Sequence, residues 1–544
     1  MQIGGHVPMK SMLGNRLVNR RGLGLMLWAA LVVFQLLYWL TGENLVAGLF
    51  TLGGGLLGVS TLLRRNLLLA YPISTSMLLG YTVSYFLLPP IATLSEWKPL
   101  TNNLDHPTLV FFHSFVCFLF LLGTHKIYRR IRILNGLRNF VSNRIYRPFG
   151  FFRAPSNMHL LLMGGFGMLA MSYQTFFVAV GAQELALGVT SKVIQGIYPL
   201  AYLPYCILVR PLLGDSIKLS PRWGWILTSY TAFLVVVSIG GNSRAAFLLG
   251  IVSFGMVYAY GTLIQLFSLR TKTIVLALTA IFLVEGFVVD LATSMVIVRG
   301  QRADISPVQL ISETINTFWD KQEIAFRRIG DTTELAAWDE RYLDNLFLAR
   351  VSNLKFADNS IDLATKQSGA EQSRFRDLEW QRTLSVFPRP VIHGLGLPVD
   401  KDLTGTSSGG DLMLYTTTGD FEALRGSRTG SLFGSGFALF GWFYPLVLSV
   451  VAAFLFALAD AQTTRKALPT SDPTRIAWTP TFNPLAIVTF FTWSFYLTSA
   501  ATGVESMSGL SQFILRGWLQ VFLLYISAYW IGYAILRIFR NRAM

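Results

Sequence analysis

Charge is scarce in this 544-residue chain, at 14% of residues, and acids are the scarcer sign, with 29 Asp and Glu against 45 Lys and Arg. Beside 52% hydrophobic residues, that shortage excludes an ordinary soluble domain, which needs more charge to cover its surface. Cysteine is nearly absent. Cys117 and Cys206 both fall in long apolar runs, without a Cys-x-x-Cys or cysteine/histidine cluster, which excludes a disulfide framework and a structural zinc site. No repeat of fixed period is visible. A cleavable signal is missing too: Lys10, Arg16, Arg20 and Arg21 precede the first apolar run and no small-residue cleavage site follows it, so the first span is expected to remain as an anchor.

What the chain has instead is apolar runs of about 18 to 25 residues, each long enough to cross a bilayer. They fall near 23–40, 45–63, 67–89, 109–128, 158–180, 194–212, 223–240, 245–267, 274–298, 432–459, 484–501 and 513–538. The expected fold is an all-α polytopic membrane protein of about twelve transmembrane helices. Lys and Arg gather in alternate connections: the N-terminus, Arg64 and Arg65, the cluster from Lys126 to Arg147, Arg210 to Arg222, Arg270 and Lys272, Arg465 to Arg475, and the C-terminal Arg537, Arg540 and Arg542. The positive-inside rule then puts both termini in the cytoplasm and the long segment after the ninth span outside. Residues 299–430 carry 16 basic and 19 acidic side chains, so the net charge of +16 belongs to the cytoplasmic connections. Nucleic-acid binding is therefore not implied; the basic cluster reads as a topology signal that also meets anionic lipid.

Three domains follow: a membrane domain of about nine helices over 1–298, an extracytoplasmic loop domain over 299–430, mostly helical, and a membrane domain of about three helices over 431–544. Within the loop domain Ser306 and Pro307 read as N-cap and N1 of a helix with Val308, Ile311, Ile315, Phe318 and Trp319 near one face. A second helix is expected where Leu335, Trp338, Tyr342 and Leu346 recur at helical spacing after Thr332 or Thr333. From Pro388 to Gly430 the shift to Pro, Gly, Ser and Thr predicts irregular loop, of a kind that closes over sites.

The residues able to carry chemistry gather at the outer side. His393, the one histidine of the loop domain, lies among glycines in "RPVIHGLG" beside Arg389 and is a candidate general base. Arg425 and Arg428 stand just before the span that opens at Ser431, at the height of lipid phosphates, where guanidinium groups bind phosphate oxygens in a fork. Arg244 follows Asn242 and Ser243 in the short outer turn "GGNSRAAF". Glu285 and Asp290 are the only acidic pair inside a predicted span, and an intramembrane carboxylate is a functional candidate by default. Asp400-Lys401-Asp402 has metal-binding spacing but sits in Gly/Ser-rich loop and reads as a solvated turn. The outer connections hold neither a phosphate-binding Gly-rich loop nor Glu-x-x-His spacing, so no metal or other cofactor is expected.

In architecture and in the stretches "GGNSRAAFLLG", "FPRPVIHGLGLP" and "GSLFGSGFALFGWF", the chain resembles the O-antigen polymerase and O-antigen ligase group of bacterial membrane glycosyltransferases. The resemblance implies a polymerase in surface polysaccharide biosynthesis that transfers glycan from an undecaprenyl diphosphate carrier to an acceptor sugar hydroxyl at the outer face of the plasma membrane. In that reading Arg244, Ser243, Arg428 and Arg389 bind substrate, and His393, Arg425 and Glu285 do the catalytic work. Membrane lipids and a chain-length regulator or flippase are the implied partners. A ligase of the same group, a transporter or flippase of lipid-linked oligosaccharide, and a non-catalytic partner in an envelope-assembly complex are the alternatives.

Overall fold

The computed structural model describes residues 9–178, 189–215, 220–267, 286–287, 289–298, 301, 305–330, 338–345, 348–349, 352, 354–424, 426, 428–468, 477–491 and 505–542. In chain order the helices are α1 (Met9–Tyr38), α2 (Gly42–Leu62), α3 (Pro72–Ser95), α4 (Pro107–Arg130), α5 (Arg132–Phe140), α6 (Asn157–Val178), α7 (Val193–Leu213), α8 (Pro221–Gly240) and α9 (Arg244–Leu263). They continue with α10 (Val289–Ile297), α11 (Pro307–Trp319), α12 (Lys321–Gly330), α13 (Leu354–Lys366), α14 (Gly369–Leu384), α15 (Arg389–Gly394), α16 (Lys401–Thr406), α17 (Gly409–Thr418), α18 (Leu432–Phe440), α19 (Tyr444–Asp460) and α20 (Met507–Asn541). Eight of the described helical stretches are long and apolar enough to cross a membrane: α2, α3, α4, α6, α7, α8, the kinked run Leu432–Asp460, and α20. The chain is thus an all-α, multi-pass membrane protein. Of the expected spans at 274–298 and 484–501, residues 274–285, 288 and 492–501 lie outside the described residues.

Sequence sets the helix ends. Proline stands at the first turn of α3, α4 and α8, where its missing N–H costs nothing, and Thr41 and Ser156 cap α2 and α6 by accepting the amides of Asn44 and His159. Internal prolines loosen helices: ahead of Pro89 and Pro90 the chain winds wide as a π turn over Val83–Leu87, and with Pro204 and Pro211 it tightens to 3₁₀ geometry over Tyr198–Leu213. That 3₁₀ stretch packs against α6 at Gly167, where a Cβ would fall 2.2 Å from the backbone nitrogen of Ala201. Small residues allow such close backbone approach, the main source of helix affinity in a bilayer.

Two groups of helices result. α1 to α4 pack on one another and, through α3 and α4, on α19; α6 to α9 pack on one another and, through α6 and α7, on α20. At the arginine-rich end the first group is pinned by Asp460, the last residue of α19: its carboxylate accepts the backbone amides of Ile73 (3.0 Å) and Ser74 (3.1 Å), the Ser74 hydroxyl (2.6 Å) and the Tyr128 hydroxyl (3.2 Å). His125 Nε2 lies 3.0 Å from the same Ser74 hydroxyl. A buried carboxylate at the N-terminus of α3 is favoured by the helix dipole and has its oxygens filled. After α19 a two-stranded antiparallel ribbon, β1 (Thr463–Leu468) with β2 (Ala477–Phe482), pairs Thr463 with Phe482; the sequence reading saw only a basic connection there.

The segment between α10 and α18 folds in two parts. α11 and α12 pack on α10, and α11 also on α8; Ser306 is the expected N-cap and forms a capping box with Gln309, and Phe318 joins Ile239, Leu291 and Met295 in a small core. α13, α14 and α17 build a second core from Trp338, Phe375, Leu378, Leu412, Tyr415 and Ala438, and seat it on α18 and on the N-terminal end of α4. Two expectations need correction. The helix expected at 335–349 is not one over Trp338–Asn345, because side-chain acceptors take the amides a helix would use: Asp339 that of Arg341, and Glu96 those of Asp344 and Asn345. The stretch 388–430, expected as irregular loop, holds α15, α16 and the buried α17, whose start is fixed by a capping box between Ser408 and Asp411.

Candidate functional site

Where α14, α17 and the start of α20 meet, two carboxylates and a guanidinium are packed out of solvent. α14 begins at a capping box of Ser368 and Glu371, and its inner face runs Phe375, Leu378, Glu379, Arg382, so helical spacing delivers an acid and a base into the same apolar layer. Arg382 Nη2 donates to Glu505 Oε1 at 2.9 Å, and Nη1 stands 3.7 Å from Glu379 Oε1. The same Glu505 oxygen accepts the Gly409 amide (2.8 Å) at the N-terminus of α17, while Glu379 Oε2 accepts the Ser508 amide (3.3 Å) at the N-terminus of α20. Two positive helix ends and one arginine thus hold two acids. Side-chain exposure is 11% for Arg382, 2% for Glu379 and 9% for Glu505.

Burial pushes the Glu379 carboxyl above its ordinary value, with Arg382 and Ser508 pulling it part of the way back. For Arg382 burial works against the charge, but Glu505 and Glu379 outweigh it, so the guanidinium is held protonated more firmly than in water. Beside this pair, Asp411 accepts the amide of Arg428 (3.0 Å), and Arg428 Nη1 lies 3.4 Å from Asp411 and donates to the Ala423 carbonyl at 2.7 Å. Gly410 is needed here, since a Cβ would fall 2.6 Å from the Arg428 carbonyl oxygen. On the outer face of α14, Arg374 is exposed and stacks 4.4 Å from the Tyr415 ring centroid.

Among the membrane helices a small apolar cavity is lined by Tyr81, Tyr85, Leu432, Phe433, Leu448 and Leu510, among others. Leu432 follows Arg428 by four residues and Leu510 follows Glu505 by five, so the same two chain segments line the cavity and the polar layer.

A second polar centre joins α13 to the turn before α4. Lys355, 3% exposed, bridges Asp105 (2.7 Å) and the fully buried Asp358 (2.8 Å), and the Asp358 carboxylate accepts the amides of Asp105 and His106, both at 2.8 Å. His106 Nε2 lies 2.9 Å from Asp362 Oδ1. Burial opposes ionisation of Asp358 most strongly and leaves its carboxyl above the ordinary value despite Lys355.

The residues singled out by sequence fall in several places. Arg428 is in the layer but turned toward Asp411 and Ala423. Arg389 is exposed on α15 and paired with Asp402 at 2.5 Å; His393 is exposed at the end of the same helix. Ser243 is exposed and precedes α9 without capping it, after Asn242 at a positive φ of 47°. Arg244 opens α9, its side chain outside the described residues, as are Arg425 and Glu285 altogether. Glu379, Arg382, Glu505 and the His106–Asp362 pair were missed. A signal existed for each: Glu379 and Arg382 interrupt an apolar helix face, Glu505 is the only acid after Asp472, and His106 stands in another connection at the same end of the bundle. No family model matches the chain, and no curated protein or solved structure matches it.

Proposed function

We propose that this chain is a membrane glycosyltransferase that polymerises lipid-linked oligosaccharide repeat units at the outer face of the bacterial plasma membrane, in surface polysaccharide biosynthesis. The observation that supports the reading is a charged shelf holding Arg382 and Arg428 in the segment that packs on the ends of the membrane-spanning helices. In the proposed reaction an acceptor sugar hydroxyl attacks the anomeric carbon, the bond to the diphosphate oxygen breaks, and the hydroxyl proton passes to a base drawn from His393, Glu285 or His106. Arg428, together with Arg244 and Arg425 as the sequence reading assigns them, would neutralise the polyprenyl diphosphate as it leaves, and the tail would lie among the helices. The chemistry needs no energy beyond the activated carrier.

Deleting the gene and running surface polysaccharide beside lipid-linked intermediates tests this. Single repeat units accumulating on the carrier, with long polymer lost and restored by complementation, is the expected result; intact polymer overturns it. A transporter of lipid-linked oligosaccharide is the second reading, favoured by one observation, the buried Asp460–Ser74–His125 cluster inside the bundle. It requires Asp460→Asn to stop translocation while the shelf arginines are dispensable.

A further inference from the structure

We propose that α5 and its flanks form a binding surface for the headgroups of anionic phospholipids, in the leaflet at the arginine-rich end of the bundle. The chain holds no carboxylate at all between Asp105 and Glu184, a stretch that carries Lys126, Arg129, Arg130, Arg132, Arg138, Arg144, Arg147 and Arg153. Lys126, Arg130, Arg132, Arg144 and Arg147 are exposed, and none makes an ion pair among the described residues. Phosphate is the counter-charge this surface lacks.

The backbone lays the surface flat. Ile131 is extended (φ −76°, ψ 122°) and breaks α5 away from the axis of α4, while the Asn135 amide caps the carbonyls that the break exposes, including that of Ile131 at 3.1 Å. One face of α5 then docks on protein. Leu134 and Leu137 pack on the core, Val141 is buried just beyond the helix, and Arg138 donates to the Ala70 carbonyl (3.4 Å) and lies 5.4 Å from the Tyr71 ring centroid. With Arg138 committed inward, the orientation of the helix is fixed.

Part of the same apolar face is left uncovered. Ile133 is 82% exposed and Phe140 56%, seven residues apart and so on one face; Ile127 before the helix and Phe149 after it are exposed as well. Water is a poor neighbour for such a face, and arginines flank it. A helix whose apolar face lies partly on protein and partly uncovered toward acyl chains, with arginines on its flanks and opposite side, is an interfacial helix. The occupant is therefore lipid rather than a soluble polyanion, since only lipid offers both the phosphate and the apolar phase.

The test uses the full-length protein, stripped in uncharged detergent and reloaded from equal phosphatidylglycerol and phosphatidylcholine, with retained lipids counted by mass spectrometry. Phosphatidylglycerol is expected to be enriched, each neutralised arginine in R130Q/R132Q/R144Q/R147Q lowering its retention by up to about fivefold, and the Lys versions at the same positions keeping it. Equal retention of the two lipids by the wild-type protein overturns the proposal, as does inorganic phosphate at the same concentration displacing the lipid. Should the quadruple variant fail to fold, a spin label on Ile133→Cys decides, the two native cysteines being buried. Collision with oxygen in preference to a water-soluble nickel chelate is expected in vesicles containing phosphatidylglycerol; preference for the chelate overturns the assignment.

Discussion

Replacing Arg382 by Met leaves Glu379 and Glu505 buried around an apolar side chain, with nothing cationic between them. Surface ion pairs are worth less than about 1 kcal/mol, but breaking a buried pair costs about 3–5 kcal/mol because a charge is stranded out of water. Here the exposure of all three side chains, 11% or less, puts the cluster in the second class. Each carboxylate keeps one backbone donor, Ser508 or Gly409, so the lower end of that range, about 3 kcal/mol, is expected. The damage should fall on the contact of α14 with α17 and α20. Thermal unfolding in mild detergent, followed together with protease protection of residues 354–424, reads both. The triple variant Arg382→Met, Glu379→Gln, Glu505→Gln has no stranded charge and should recover stability to within about 1 kcal/mol of wild type, since removing a whole buried pair is often neutral. A single variant that loses less than about 1 kcal/mol, or a triple variant as weak as the single, would refute the reasoning.

Gly434→Val would bring its Cβ to 2.2 Å from the Ser360 side chain and 2.5 Å from its backbone, and should cost about 1–3 kcal/mol, seen as faster proteolysis between α13 and α18. Tyr342→Phe removes the donor to the Leu100 carbonyl (2.7 Å) and should cost about 1–3 kcal/mol in the same melts, because a buried acceptor loses its partner. The Glu379 carboxyl is held above its ordinary 4.5, so the folded state binds this proton more tightly than the unfolded chain; the group favours folding most below pH 4.5 and less as pH rises through its folded value. Glu379→Gln should flatten the melting temperature across pH 4.5 to 7, and an unchanged slope would count against the assignment. Arg389→Ala, which breaks only an exposed pair with Asp402, should shift stability by less than about 1 kcal/mol.

The membrane class was legible because apolar runs of spanning length need no tertiary context, and α2, α4, α6 and α8 begin and end within a few residues of expectation. The helix at Pro307 was legible because its cap is local. What failed was long-range. Trp338 and Tyr342 do face the core, as their spacing suggests, but Glu96, about 250 residues away, claims the amides that a helix would have used. α17 hid behind a Gly-Gly start, where composition says loop and close contact with the Arg428 backbone says otherwise. The charged shelf was invisible for the same reason: Glu379, Arg382 and Glu505 meet only after α20 returns to α14. Arg428 was readable as an arginine at the head of a span, but its partner Asp411 was not.

The most direct measurement reconstitutes the purified chain in proteoliposomes with a polyprenyl diphosphate-linked oligosaccharide and follows glycan length and release of the polyprenyl diphosphate together. The account predicts a ladder of longer glycans with one carrier diphosphate freed for each bond formed. Repeat units that cross the membrane unextended, or remain single with no carrier released, would contradict it.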